Sequence, residues 1–271
     1  MRYSGLITKT RAMSGHLLPA EAIRQLTELG TVGEVINYLK GTEGYGSVFG
    51  GQEDGWHRGQ AEAVIINSLY QDFEKLYRFS DAKQRLAFQY VFFRYETDVL
   101  KQLLKTIFTG LKQRKELYVD PFFYRHARFP VEQVKKATSL AEFEQALAGT
   151  PYEKVFFKLQ HFEHAGYGDY ATELETYYYT QVYKDIGRMG SGTLKEILKC
   201  IYGTQIDWLN LMWIYRSRRY YNQTRAELFA LLIPFRYRIR KEELDGMLDA
   251  PGLPELNRIL EQTAYFKGRE A

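Results

Sequence analysis

The stretch EFEQALAGTPY, residues 142–152, contains a skeleton that occurs three times in the chain. In each copy a glutamate is followed directly by an apolar residue. A leucine comes five positions after the glutamate, a threonine three positions after the leucine, and a tyrosine two or three residues later. The copies begin at Glu34, Glu142 and Glu255, which are 108 and 113 residues apart. A fixed internal spacing at a long, regular period indicates internal duplication.

Each copy of this skeleton has the pattern of a short helix with a defined end. The apolar residues one and five positions after the glutamate lie on the same helix face, and turn-forming residues such as Gly149-Thr150-Pro151 follow. A second amphipathic run lies about one helix upstream in every copy. Its apolar positions are Ile23, Leu26 and Leu29, then Val131 and Val134, then Leu244, Met247 and Leu248. Each copy is therefore predicted to open with a helical hairpin.

A second repeated pattern has nearly the same period. The run DVLKQLL, which starts at Asp98, aligns with DWLNLMW, which starts at Asp207, 109 residues later. Two independent patterns in one register predict repeats at residues 1–109, 110–222 and 223–271, the third about half as long as the others. Amphipathic runs of helical period occupy most of the remaining chain, which predicts an all-α fold.

The composition is that of an ordinary globular protein, with 45% apolar and 26% charged residues. A net charge of +4, mixed along the sequence, does not indicate a nucleic-acid partner, which would need a concentrated basic face. The one cysteine excludes an internal disulfide framework and agrees with a reducing compartment. Residues 1–9 lack the layout of a signal peptide, and no run approaches the roughly 20 apolar residues of a spanning helix. We therefore expect a cytoplasmic protein that works at a membrane only from outside the bilayer.

Three patterns could indicate a chemical site, and each has a plainer interpretation. The glycine-rich loop at residues 46–59 lacks the Gly-Lys-Ser/Thr ending of a phosphate-binding loop, which favours a connector. His161, Glu163 and His164 occur in an order that differs from the zinc-binding His-Glu-x-x-His. Cys200 lies in an apolar helix, which favours a packing role. The sequence thus predicts no catalytic residue, no metal and no cofactor.

The charged positions of the second pattern are the remaining candidates. Asp98 and Asp207 could be paired acids, but a duplicated acid more often marks one cap or inter-helix hydrogen bond made twice. Arg216, Arg218 and the tyrosines around them could stack on bases and bind phosphates. The nearly balanced charge of the chain instead favours a helix end that faces solvent or a protein partner.

Taken together, the repeated patterns resemble a known family, the C subunits of the bacterial and archaeal V/A-type ATPases, whose counterparts in the eukaryotic V-ATPases are the d subunits. The resemblance covers essentially the whole chain. It rests on the threefold skeleton, on Asp207, Asn210, Ile214, Arg216 and Arg218, and on the opening Arg11, Met13, Leu17 and Leu18. It implies an all-helical funnel of three similar lobes around a pseudo-threefold axis. The sequence departs from the family in its short third lobe, and in Lys101, which stands where the second repeat has Asn210.

The resemblance also implies a function. In that family the funnel sits on the cytoplasmic face of the membrane rotor ring and receives the end of the central shaft. We therefore expect a non-catalytic rotor subunit, peripheral to the membrane, whose partners are the shaft subunits and the proteolipid ring. Its expected partner interface includes Asp98, Asp207, Asn210, Arg216 and Arg218. The alternative is a stand-alone helical-repeat scaffold that binds peptides or nucleic acid.

Overall fold

The computed structural model describes residues 4–49, 55, 57–110, 121–159, 165–221 and 223–267. Every regular element in these ranges is helical and none is a strand, which confirms the all-α prediction. None of these helices is both long enough and apolar enough to cross a membrane. In chain order the helices are α1 (Ser4–Ser14), α2 (Ala20–Glu28), α3 (Val32–Lys40), α4 (Arg58–Phe79), α5 (Ala82–Thr109), α6 (Pro121–Tyr124), α7 (Val131–Lys136), α8 (Leu140–Ala146), α9 (Glu153–Leu159), α10 (Tyr167–Arg188), α11 (Thr193–Arg216), α12 (Arg225–Leu231), α13 (Lys241–Asp249) and α14 (Leu253–Gln262).

The chain divides into two compact units, and the division falls inside α5. The first unit comprises Met1–Phe92 and Lys115–Ala127, and the second comprises Phe93–Arg114 and Arg128–Ala271. These units describe packing, whereas the three segments 1–109, 110–222 and 223–271 describe sequence repetition. The repeat boundaries therefore remain a prediction.

Aromatic rings form the core of the first unit. Phe73 on α4 meets Phe88 and Phe92 of α5 edge to face, with ring centroids 5.3 and 5.2 Å apart. Phe122 and Phe123 of the short helix α6 contact the same ring. Such edge-to-face contacts add directionality to apolar burial, which fixes how the helices pack. A separate cluster beneath α3 consists of Ile36, Leu39, Phe49 and Ala61.

Helix α10 shows how the second unit is built. Its residues Leu174, Tyr178, Val182 and Ile186 recur every fourth position and are all buried. One apolar stripe of the helix therefore faces the core, and α10 packs against α11. A second cluster joins the end of α11 to the last three helices. It consists of Leu211, Ile214, Leu228, Leu232, Ile239, Met247, Leu248, Ala250 and Leu256.

The repeated skeleton forms nearly the same helix three times. Its glutamate is the third residue of α3, α8 and α14. Glu34 accepts a hydrogen bond from the main-chain N–H of Thr31 at 3.0 Å, and Glu142 accepts one from that of Thr138 at 2.6 Å. A carboxylate in the first turn satisfies N–H groups that have no partner inside the helix. In the third copy Glu255 pairs with Arg258 instead.

The threonine of the skeleton ends the helix in the same way in every copy. Its hydroxyl donates a hydrogen bond to the carbonyl oxygen of the leucine three residues earlier, which has no partner further along the helix. The pairs are Thr42 with Leu39 at 2.7 Å, Thr150 with Leu147 at 2.6 Å, and Thr263 with Leu260 at 2.7 Å. The order of helices repeats as well. The sequence α2, α3, α4, α5 is matched by α7, α8, α10, α11, with α9 as an additional helix, and α13 and α14 follow.

Candidate functional site

The side chain of Asp207 lies at the centre of a hydrogen-bonded site in the second unit. It sits in the middle of α11 with none of its surface exposed. Its carboxylate accepts hydrogen bonds from the main-chain N–H groups of Tyr237 at 3.0 Å, Arg238 at 2.7 Å and Ile239 at 3.3 Å, and from the hydroxyl of Tyr265 at 2.8 Å. Four donors explain how Asp207 can be buried although it forms no ion pair with the described residues.

Tyr265 belongs to the third copy of the repeated skeleton. Burial, together with the hydrogen bond to Asp207 and the charge of Asp207, raises the pKa of the Tyr265 hydroxyl well above its usual value. The hydroxyl therefore keeps its proton and remains a donor throughout the physiological pH range.

Two further residues on α11 hold the non-helical segment that contains these donors. Asn210 accepts from the main-chain N–H of Ile233 at 2.9 Å and donates to its carbonyl oxygen at 3.0 Å. Gly203 leaves room for Tyr237, since a Cβ atom there would lie 2.6 Å from that ring. Gly203, Asp207 and Asn210 lie at i, i+4 and i+7, so one face of α11 fixes residues 233–239.

A second buried acid is held in a similar way on α5. Glu96 is 3% exposed and accepts hydrogen bonds from the main-chain N–H and the side-chain Nε of Arg128, both at 2.9 Å. The hydroxyl of Tyr152, from the second copy of the skeleton, also donates to it. The Arg128 guanidinium lies 4.0 Å from the ring centroid of Phe93. Burial and the charge of Glu96 raise the pKa of Tyr152 well above its usual value.

These two sites have the same plan, and we call them the first joint (Glu96, Arg128, Tyr152) and the second joint (Asp207, Arg238, Tyr265). In each, an acid on the long helix that ends one repeat is bonded by the skeleton tyrosine of the next repeat. Each arginine donates its main-chain N–H and lies two residues before the N-cap of the next hairpin, whose first helix is α7 or α13. Each joint therefore ties one long helix to the hairpin that follows it in the chain.

Asp98, which the sequence aligns with Asp207, has different surroundings. It pairs with Arg94 at 3.2 Å and with Lys101 at 3.0 Å, and about a third of its side chain is exposed. Arg94 and Lys101 also bind Glu175 of α10. Burial alone would raise the pKa of Glu175, but the charges and hydrogen bonds of Arg94 and Lys101 outweigh burial and lower it. By its contacts, the counterpart of Asp207 is Glu96, two residues before Asp98.

Comparison with known proteins shows the family of the chain. Residues 6–270 match the family described as ATP synthase (C/AC39) subunit. The chain belongs to this family. It is 22% identical over 260 residues to the C subunit of the A-type ATP synthase of Methanobrevibacter smithii, and 22% identical over 262 residues to that of Methanosphaera stadtmanae. The matches cover 94% and 95% of this chain, but only 64% and 65% of the two relatives.

Two of the residues expected at a partner interface of this C/AC39-family protein make internal contacts. Asp207 and Asn210 are buried and bind residues 233–239, and for Asp207 the sequence favours a structural hydrogen bond over a pair of acids. Arg218 is half-buried and donates to the carbonyl oxygens of Gln223 and Leu248. Arg216 is exposed and ends α11 just before a π-helical turn, Ser217–Tyr221. The interface assignment of the five predicted residues remains a prediction.

The opposite face of α11 is exposed and apolar. Ile197, Ile201, Trp208 and Met212 are 39–50% exposed and are separated by four, seven and four residues, the spacing of one helix face. Trp208 also packs against the rings of Tyr265 and Phe266 beside it. We call this surface the α11 stripe.

The other candidates for chemistry form no site among the described residues. His161, Glu163 and His164 lie outside those residues, as do 50–54 and 56 of the glycine-rich loop. Where the structure does describe the chain, no three His, Cys, Asp or Glu side chains lie close enough together to hold a metal ion. Cys200 is half-buried on α11, as a packing residue would be.

Proposed function

We propose that this protein is a non-catalytic coupling component of an A/V-type ATP synthase. In this proposal it is a helical socket of the central stalk that joins the rotating shaft to the proteolipid ring, on the cytoplasmic side of the membrane. Membership of the C/AC39 family is the observation that carries the proposal. The chain spans less than two thirds of the length of the relatives it matches, so the role of the whole protein is itself part of the proposal.

The interior of the second unit supports a load-bearing role. A part that transmits torque has to resist deformation, and buried hydrogen-bond networks with every member paired rigidify a core. Both joints are networks of this kind, and each connects one long helix to the next hairpin. The arrangement suits transmission of force between successive repeats.

The α11 stripe is the surface we propose for the shaft. Contiguous exposed apolar residues on a rigid element are typical of protein interfaces, and aromatic residues and methionine are enriched there. The joint on the buried face of the helix keeps the stripe in place, which is the role we propose for Asp207 and Asn210. Arg216 at the end of the helix and Asp98 on α5 remain proposed contacts at the rim.

The test is a reconstituted ATP synthase that carries the double variant Ile201→Glu/Met212→Glu. We expect ATP hydrolysis to continue while ATP-driven ion transport falls at least about tenfold, because two charges oppose burial of the stripe against the shaft. Ile23→Glu, which changes an equally exposed residue on α2, is the control and should leave transport unchanged.

Two results would contradict the proposal. One is normal transport by the double variant. The other is a wild-type protein that does not co-purify with shaft and ring components and is instead retained on RNA, which would favour the stand-alone scaffold.

A further inference from the structure

A cavity lies in the first unit between α3 and the beginning of α4. Its floor is the buried apolar cluster beneath α3, formed by Ile36, Leu39, Phe49 and Ala61. Its volume is about 360 Å³. Small-molecule sites have volumes of roughly 300–1,000 Å³. The cavity is therefore large enough to hold a small ligand.

The second repeat shows how the equivalent space is filled there. Phe49 ends the run YGSVF, and Phe156 ends the aligned run YEKVF. Both phenylalanines are buried, with 1% and 2% of their surfaces exposed. The ring of Phe156 contacts the rings of Phe143 on α8 and Tyr170 on α10, and the ring centroids are 5.5 Å apart in both pairs. Two large side chains thus pack on this phenylalanine in the second repeat.

Smaller side chains stand at those two positions in the first repeat. Val35 corresponds to Phe143, since each directly follows the skeleton glutamate. Ala61 corresponds to Tyr170, because each is the fourth residue of a 22-residue helix. In both helices the third side chain accepts a hydrogen bond from the N-cap main-chain N–H, which supports this alignment. Val35 and Ala61 both line the cavity, so it lies where the second repeat has its two rings.

One side of the cavity carries charged groups. Arg58 and Glu62 line it and form an ion pair, with Nε and Oε1 2.7 Å apart. Their side chains are 79% and 56% exposed, so this pair lies where the cavity opens to solvent. An apolar interior with a few polar groups at one side is typical of sites that bind and orient small molecules.

We infer that this cavity binds a small molecule with an aromatic ring system. The rings occupy the space that Phe143 and Tyr170 fill in the second repeat, and a hydrogen-bonding group of the ligand faces Arg58 and Glu62. An apolar cavity of about 150 Å³ holds one benzene molecule, so a cavity of about 360 Å³ has room for two fused rings. The inference rests on this cavity and its counterpart, and it does not depend on the proposed rotor function.

The experiment titrates 2-naphthol, two fused rings with one hydroxyl, into the purified full-length protein labelled with ¹³C in its alanine and valine methyl groups. We expect binding with a Kd below about 1 mM, and nuclear Overhauser effects between the naphthol ring and the methyl groups of Val35 and Ala61. Decahydro-2-naphthol has the same carbon skeleton without aromatic rings. It should bind at least about threefold more weakly, since it makes no ring–ring contact with Phe49.

The double variant Val35→Phe/Ala61→Tyr introduces the two rings of the second repeat. It should bind 2-naphthol at least about tenfold more weakly, because its side chains occupy the cavity. Gly33→Phe is the matched control, since it adds a ring on the exposed side of α3, where no atom lies within 4 Å of the added Cβ. Its affinity should equal that of the wild type. The Overhauser effects are measured on the wild type, so the test does not depend on the folding of the double variant.

Four results would overturn the inference. They are no binding of 2-naphthol at about 1 mM, ligand contacts that exclude Val35 and Ala61, equal affinity for the saturated compound, and undiminished binding by the double variant. The first is the result expected if residues outside the described ranges fill the space.

Discussion

The two joints hold a buried carboxylate with different sets of hydrogen-bond donors. Both bury a carboxylate on a long helix and both use a tyrosine of the next repeat. The first joint adds one main-chain N–H and the guanidinium of Arg128, whereas the second adds three main-chain N–H groups and, among the described residues, no ion pair of the acid. The comparison shows that main-chain N–H groups can fill the acceptor sites of one buried acid while a guanidinium helps to fill those of the other.

The helices that carry the joints also differ. Between Phe92 and Leu104 every residue of α5 except Gln102 is buried or half-buried. The corresponding part of α11 is buried on its joint face and carries the α11 stripe on the other. Similar joints thus occur on a largely buried helix and on a helix with an exposed apolar face.

The largest effect is expected at the second joint. Asp207→Ala removes the acceptor of three main-chain N–H groups and one hydroxyl, and these donors stay buried. We expect a loss of about 3–5 kcal/mol in the free energy of unfolding, measured by urea denaturation. A loss below about 1 kcal/mol would show that these hydrogen bonds do not hold residues 233–239.

A smaller effect is expected at the first joint, where only one donor is a main-chain N–H. Glu96→Gln keeps the shape of the acid and should lower the free energy of unfolding by about 2 kcal/mol, because Arg128 is left without its counter-charge. Adding Arg128→Met to this variant should cause little further loss, since it removes the unpaired cation. Strictly additive losses in the free energy of unfolding would contradict this prediction, because they would show that Arg128 is not coupled to Glu96.

The close contact between Gly203 of α11 and the ring of Tyr237 provides a further test of the second joint. Gly203→Ala places a methyl group 2.6 Å from the ring of Tyr237 and should lower the free energy of unfolding by about 1–3 kcal/mol. Gly187→Ala on α10 is the matched control, because no atom lies within 4 Å of its added Cβ. The control should be neutral or slightly stabilising, by up to about 1 kcal/mol. Equal changes in the free energy of unfolding of the two variants would mean that Tyr237 does not pack on α11.

The smallest expected effect is a change in how the free energy of unfolding depends on pH in acid. The pKa of Glu175, whose partners lie on the helix of the first joint, is lower in the folded chain than the usual 4.5. Its stabilising contribution is therefore complete above about pH 4.5 and is lost as the pH falls through the lower, folded pKa. Glu175→Gln should reduce the free energy of unfolding at pH 7 by about 1 kcal/mol, and the difference from wild type should disappear near pH 2. A constant difference across a pH series of denaturation curves would contradict this assignment.

Local sequence patterns were sufficient to predict the helices. The four-residue recurrence of apolar side chains in α10, the first-turn position of Glu142 and the turn after Leu147 are all properties of neighbouring residues. Such properties do not depend on the rest of the fold, which is why the all-α prediction is confirmed.

The joints could not be found in this way because each connects residues far apart in the chain. Tyr152 is 56 residues from Glu96, and Tyr265 is 58 residues from Asp207. Alignment of short motifs paired Asp207 with Asp98, two residues from the acid that makes the equivalent contacts. A signal was nevertheless present, because Glu96 lies at nearly the same distance from a skeleton tyrosine as Asp207.

The most direct test of the duplicated joint is a pair of double-mutant cycles, Glu96→Gln with Tyr152→Phe and Asp207→Asn with Tyr265→Phe, measured as free energies of unfolding. If both joints are the same device made twice, each acid should be coupled to its own tyrosine by about 1–2 kcal/mol. Glu96→Gln combined with Tyr265→Phe should be additive to within about 0.5 kcal/mol. A coupling near zero in either joint would contradict the claim that duplicated acid–tyrosine contacts tie the repeats together.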